Sequence, residues 1–311
     1  MKLPNDIVFV DSFPVTPLVP VHLSEDGPLI WCKMEFCNPS GSTKDRIARK
    51  ILEKAWRQGK IQSGSLVIEA SSGSTSIAMA FVCAQLSLRF CAIMPEGVTK
   101  ERIALIKAYG AEVVLTPKSE GMRGALAHAE RLTQKTGCFY TRQFENPDSA
   151  EAHYLGTGQE ILLQIPGAHV DALVCGVGTG GTIMGLYRAF FEAGCKMQTY
   201  VARPVTGDLA GGADCSSFSN RIPGVLDNYS KLYVPEKMPF VSQISIEDKL
   251  AVETAQRLIR KGFPVGPSSG LNFAAAERVA HLLGNDAKVV TVFPDRMERY
   301  FSTDLFCHPI Q

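Results

Sequence analysis

Short apolar runs of strand length alternate along the chain with stretches of helical period. Polar, glycine-rich turns follow several of those runs. Together these two features predict an α/β protein with mainly parallel sheets covered by helices. The length of 311 residues adds a third, since it suits about two domains at ~150 residues each. The expected architecture is therefore two three-layer α/β domains.

A helix is predicted over 44–58. Its Ile47, Ile51, Leu52, Ala55 and Trp56 make one apolar stripe. Buried strands are predicted at LVIEA (66–70), FCAIMP (90–95), EVVLTP (112–117), ALVCGV (172–177), MQTYVA (197–202) and VVTVFP (289–294). Further helices at 75–87, 100–109, 121–135, 182–193, 247–261 and 270–283 complete the alternation. The stretch 205–230 has no clear period and is expected to be a long surface excursion, a kind of segment that is often functional.

Composition narrows the classes of function. Hydrophobic residues make up 45% and charged residues 20% of the chain, and the net charge is +1. This balance suits a soluble globular protein and gives no reason to expect nucleic acid or a membrane as partner. The first 18 residues carry two acids and three prolines, which argues against a signal peptide or a membrane span. Nine cysteines are scattered without a CxxC pair, several of them inside strand-like runs. Buried reduced thiols and a cytoplasmic setting are expected. The six histidines do not pair at ligand spacing, so no metal is expected.

Ligands of open α/β sheets bind beyond the carboxyl ends of strands. Four polar turns stand there or at a helix start: SSGST (71–75), GTGGT (178–182), GPSSG (266–270) and PDRMERY (294–300). GVGTGGTIMG (176–185) joins a strand to a helix, where successive backbone N–H groups close around an anion. It also fits GxGxxG through Gly176, Gly178 and Gly181. A dinucleotide site wants an acid at the end of the next strand, but that strand ends in Val201-Ala202-Arg203. NAD is disfavoured, while Arg203 leaves NADP formally open. SSGST is a second helix start rich in donors, suited either to a carboxylate or to plain N-capping.

NPSGSTKDR (38–46) poses a different problem. Lys44 lies in the first helical turn, where a cation faces the positive end of the helix dipole at a cost of roughly 0.3–1 kcal/mol. A lysine that forms a Schiff base with an aldehyde cofactor would resolve it, because it carries a different charge and points at a ligand.

These segments, in this order, resemble the cysteine synthase and cystathionine β-synthase family of pyridoxal-phosphate (PLP) enzymes, of the tryptophan synthase β-like fold (PLP fold type II). The likeness extends from TPLV (16–19) to VFPDRMERYFST (292–303). It includes PEGVTKERIALIKAYGAEVVLTP (95–117), GMRGALAHAERL (121–132) and QFENPDSAEAHYLGTGQEI (143–161). The resemblance implies a smaller domain at 39–152 and a larger one formed by 1–38 and 153–311. It implies neither a haem-binding extension before residue 16 nor a regulatory module after Phe306.

It also implies pyridoxal 5'-phosphate as cofactor, an amino-acid substrate and a homodimer. Lys44 would carry the cofactor. Gly178, Thr179, Gly180, Gly181 and Thr182 would hold its phosphate, and Ser268 would hydrogen-bond the pyridine nitrogen. Ser71, Ser72, Gly73, Ser74 and Thr75 would grip the substrate carboxylate, with Gln143 beside them. The implied reaction is β-replacement on an activated L-serine with sulfide, through an aminoacrylate, giving L-cysteine. Cystathionine synthesis, cysteine desulfhydration, amine addition and a low-turnover scaffold are the alternatives.

The chain departs from the family pattern at several positions. Ser74 replaces an asparagine that contacts the cofactor's phenolic oxygen, and Ser76 replaces a glycine. Pro14-Val15 stands for Gly-Asn, and Arg296-Met297 for a small residue and glycine. A phosphate leaving group would need a cation. Arg221, in the excursion, and Arg296, past a strand end, are the candidates.

Overall fold

The computed structural model describes residues 13–206, 221–225, 229–284 and 286–307. Most of the excursion at 205–230 therefore lies outside the described residues. The chain divides into two compact units. One is Asn38–Ser149 with residues 13–14, and the other is Val15–Cys37 with the described residues from Ala150 onward. Both are α/β, and almost all strand pairing is parallel.

In chain order the strands are β1 (Leu18–Val21), β2 (Ile30–Lys33), β3 (Leu66–Ala70), β4 (Arg89–Pro95), β5 (Glu112–Thr116), β6 (Phe139–Tyr140), β7 (Ala172–Gly176), β8 (Gln198–Val205), β9 (Val241–Glu247) and β10 (Val289–Val292). The first unit holds a parallel sheet in the order β5-β4-β3-β6. Helices Lys44–Arg57, Ser74–Gln85, Lys100–Ala108 and Gly121–Thr136 belong to this unit. The apolar stripe expected on the first of these is the face it buries, with Ile51, Leu52 and Trp56 in the core beside Val67, Ile77 and Val82. Helix Ser74–Gln85 is buried from Thr75 to Cys83, as befits a helix apolar on every side.

The second unit is a six-stranded sheet, β1-β2-β10-β7-β8-β9, in which only the β1–β2 pair is antiparallel. A helical stretch runs from Asp148–Ala152 through a π-helical turn at His153–Gly158 into Gln159–Gln164. Helices Gly181–Glu192, Asp248–Arg260 and Pro267–Leu283 follow. Cys32, Cys83, Cys91, Cys175 and Cys195 are buried thiols. No helix among the described residues is long and apolar enough to cross a membrane.

Each sheet contains a switch point, where strand order reverses. In the first unit β4 and β5 build outward from one side of β3, and β6 returns on the other. In the second, β8 and β9 lie on one side of β7 and β10 on the other. At such a point the strand ends diverge and leave a crevice. Asn272 joins the second pair of ends. Its Oδ1 accepts the Gly176 N–H at 2.8 Å, and its Nδ2 donates to the Val292 carbonyl at 2.8 Å.

Asn272→Ala leaves both of those backbone groups without a side-chain partner. The expected loss is about 2–4 kcal/mol of unfolding free energy, read by chemical denaturation at neutral pH. A loss below about 1 kcal/mol would mean that water substitutes fully for the amide.

Candidate active site

In the first unit the turn after β3 is built from its own hydroxyls. Ser71 Oγ lies 2.6 Å from Ser76 Oγ and accepts the N–H groups of Gly73 and Ser76, each at 3.2 Å. Ser76, where the family usually has glycine, is fully buried and serves Ser71. Gly73 has φ 148°, and a Cβ there would lie 2.2 Å from Arg102 Cδ, so only glycine fits. Thr75 donates its hydroxyl to Gln143 Oε1 at 2.5 Å, while Gln143 Nε2 donates to the Ala70 carbonyl at 2.8 Å.

The structure thus gathers Ser71, Gly73, Thr75 and Gln143 across the β3–β6 switch point. It gives Ser71, Thr75 and Gln143 internal work. Ser72 and Ser74 are half-buried. The N–H of Thr75, in the first turn of helix Ser74–Gln85, meets no protein acceptor. This helix start can receive an anion through backbone donors and the helix dipole.

Lys44 opens helix Lys44–Arg57, and its neighbour explains how a cation is tolerated there. The buried Asp45 carboxylate accepts the Ser40 N–H and the Ser40 hydroxyl, each at 2.8 Å, and the Ser42 N–H at 3.2 Å. A carboxylate at the helix start offsets the dipole and fixes the turn that presents Lys44. The Thr43 hydroxyl beside it is buried without a hydrogen-bond partner. Sequence reading overlooked Asp45, although an acid after a Ser-rich turn is a first-turn signal.

In the second unit Gly178–Thr182 form the turn from β7 into helix Gly181–Glu192. A Cβ on Gly178 would lie 2.1 Å from the Gly224 carbonyl oxygen, so the two backbone segments touch. Ser230 holds the far side. Its hydroxyl donates to the Thr179 carbonyl at 2.6 Å and accepts the Tyr233 N–H at 3.0 Å. The N–H groups of Thr179, Gly180, Gly181 and Thr182 make no hydrogen bond among the described residues. Thr182 Oγ1 lies 3.2 Å from His153 Nε2, whose ring Nδ1 is 2.9 Å from Thr157 Oγ1. The π-helical turn carries that buried histidine. Neither His153 nor Ser230 was singled out from the sequence, because both act through partners remote in the chain.

Ser268 is the second residue of helix Pro267–Leu283, one turn before Asn272 and on the same face. It therefore stands at the carboxyl ends of β7 and β10. The residue is 5% exposed, and its hydroxyl makes no hydrogen bond among the described residues. The neighbouring Ser269 hydroxyl is fully buried and also without a partner. Arg221 and Arg296 already face carboxylates, Asp304 at 2.6 Å and Glu298 at 2.9 Å, and all four side chains are exposed.

A phosphorylated pyridine aldehyde needs an amine, a cluster of N–H donors for phosphate and a donor for its ring nitrogen. Lys44, the bare N–H groups of Thr179–Thr182 and the unsatisfied Ser268 hydroxyl are of the right chemistry. The orphaned hydroxyls of Thr43 and Ser269 adjoin two of them. Taken by itself, each unit offers residue types that suit the group.

The family of pyridoxal-phosphate dependent enzymes matches residues 11–295. The cysteine synthase of Staphylococcus aureus (strain Mu50 / ATCC 700699) is 38% identical over 297 residues, 94% of each chain. Among solved structures, O-ureido-L-serine synthase superposes with a TM-score of 0.87 at 30% identity, covering 100% of this chain and 97% of that one. The O-acetylserine dependent cystathionine beta-synthase of Helicobacter pylori gives 0.82 at 29% identity, covering 98% and 100%. With the parallel sheets and the two helix starts described above, these likenesses make the chain a member of the PLP-dependent enzyme family, of fold type II, akin to cysteine synthases.

Proposed function

We propose that the protein catalyses β-replacement on an activated L-serine, O-acetylserine or O-phosphoserine, with sulfide as nucleophile and L-cysteine as product. The observation that carries this reading is the unpartnered Ser268 hydroxyl, a neutral group where the ring nitrogen of the cofactor would lie. Bound PLP supplies an electron sink that labilises the Cα proton and the β-substituent of an amino acid.

The residues divide the remaining work. Backbone N–H groups of Thr179–Thr182 take the phosphate, and the dipole of helix Gly181–Glu192 favours its charge. Lys44 would be the residue that holds the cofactor and, as a neutral amine, the acceptor of the Cα proton. Ser72, Ser74 and the N–H of Thr75 take the substrate carboxylate, with Thr75 and Gln143 holding the turn in shape. Ser268 would donate to the ring nitrogen without fixing a proton on it, a neutral setting that would favour loss of a β leaving group over transamination.

A second reading changes only the nucleophile or the direction: cystathionine formation, cysteine desulfhydration or amine addition. It is favoured by two solved relatives, an O-ureido-L-serine synthase and a cystathionine beta-synthase. The existing ion pairs of Arg221 and Arg296 favour acetate over phosphate as leaving group. A homodimer and a cytoplasmic setting belong to the same proposal.

Lys44→Ala should lower kcat by about a thousandfold or more. It should also abolish covalent labelling at residue 44, read as peptide mass after borohydride reduction. Turnover at the wild-type rate would remove Lys44 from the mechanism. Ser268→Asp places a carboxylate at the ring nitrogen. It should slow β-replacement about ten- to a hundredfold and allow slow formation of the pyridoxamine form, followed by absorbance. Unchanged kinetics would place the ring nitrogen elsewhere. Wild-type protein supplied with sulfide should consume O-acetylserine in preference to O-phosphoserine, with cysteine identified by mass. The reverse preference would restore Arg221 or Arg296 as the phosphate partner.

A further inference from the structure

Glu69 is out of place in its strand. It is the acid in LVIEA, it is fully buried, and the proposed reaction does not use it. Both of its carboxylate oxygens are occupied. Oε1 accepts the Ala70 N–H at 2.8 Å. Oε2 accepts the Gln143 N–H at 3.1 Å and the Thr141 hydroxyl. Thr141 and Gln143 follow the end of β6, so this one carboxylate ties together the two strand ends that flank the switch point.

Between them Arg142 has φ 55°, a left-handed conformation uncommon for residues other than glycine. That backbone turn lets residues 141 and 143 address the same acid. The Arg142 guanidinium is held instead by Glu130 and by Glu145, the latter at 2.9 Å. Gln143, fixed at its N–H by Glu69, passes the constraint on through its side chain to Ala70 and Thr75.

We propose that Glu69 is a positioning residue for the amino-acid substrate. Its ionised carboxylate fixes Gln143, and through Gln143 it fixes Thr75 and the helix start that receives the substrate carboxylate. This rests on the reading of residues 71–75 as the carboxylate site. A neutral isostere cannot replace it. Glutamine offers one acceptor oxygen and an NH2 donor, so its NH2 must face either the Ala70 N–H or the Gln143 N–H, both of which are donors.

Glu69 also titrates in an accessible range. Burial pushes its carboxyl up to about 7, against the pull of its three hydrogen bonds and of Arg142. The charged and titratable groups around it are Arg142 and Tyr140, with Glu130 and Glu145 beside those two. On β4 its register partner is Ala92. Protonation removes an acceptor from the tie, so KM for the amino acid should rise as pH falls below about 7. The stability linkage runs the other way. A carboxyl raised from 4.5 to about 7 contributes stability that is present below 4.5 and lost as pH rises through 7. Wild-type stability relative to Glu69→Gln should therefore decline across that interval.

The test is steady-state kinetics of the holoenzyme with O-acetylserine and sulfide, for the wild type and Glu69→Gln, on both sides of neutrality. Glu69→Gln should raise KM about tenfold, the value of one hydrogen bond. It should change kcat less than about threefold, leave the cofactor absorbance alone and remove the rise of KM in acid. An unchanged KM with only a lower melting temperature would make Glu69 a core residue and overturn the proposal. Should no amino acid turn over, the carboxylate-site reading fails instead. Amide exchange in the substrate-free holoenzyme then decides on Glu69 separately. Lost protection at the Gln143 N–H in Glu69→Gln supports the tie, and retained protection refutes it.

Discussion

A parallel sheet whose strand order reverses must leave two strand ends diverging, and the backbone groups at those ends need partners. This chain meets the requirement twice with a buried polar side chain. Asn272 joins β7 to β10 through one acceptor and one donor. Glu69 joins β3 to β6 through its two carboxylate oxygens. The strand ends are thereby tied on both sides of each switch point, and the turns proposed for substrate and cofactor start from them. A buried polar group without its partners would cost several kcal/mol. Each tie is thus a fixed geometric constraint.

The second theme is the helix start as an anion receptor. Helix Ser74–Gln85 and helix Gly181–Glu192 both follow a strand through a glycine-bearing turn, and the N–H of Thr75 in the one and those of Gly181 and Thr182 in the other meet no acceptor among the described residues. Their supports differ. The first turn is braced by Ser71, Ser76 and Gln143, the second by Ser230 and by the His153–Thr182 contact. A third helix begins with a cation, Lys44, and there the dipole is answered by the buried Asp45 in the same turn. The charge of its neighbour thus makes a lysine tolerable at this helix start.

Much of the fold was legible because buried parallel strands are continuous apolar runs, and amphipathic helices betray their period. The predicted strand at 66–70 is β3 itself, and helix 44–58 differs by one residue from the observed element. Four strands escaped for physical reasons. β1 contains a proline and lies at a sheet edge, β6 has two residues, and β2 is a four-residue strand without a long apolar run. β9 is an edge strand with half its residues polar. The helical stretch at 148–164 escaped because glycines and a π-helical turn break the 3.6-residue period.

The sequence by itself determined the alternation of strands and helices, the positions of the polar turns after strands, and the residue types that suit PLP. All of these follow from local pattern, in which hydrophobic period and glycine placement act over a few residues. Only the tertiary structure decided which polar side chains are spent on the protein's own turns. Ser71 and Gln143 looked like substrate contacts, yet their hydrogen bonds close on Ser76, Thr75 and Ala70. Ser268 kept its hydroxyl unspent. Glu69, which the sequence did not single out, ties two strand ends together. Hydrogen-bond partners about 70 residues apart, such as Glu69 and Gln143, have no local signature, because only the folded sheet brings their donors and acceptors within reach.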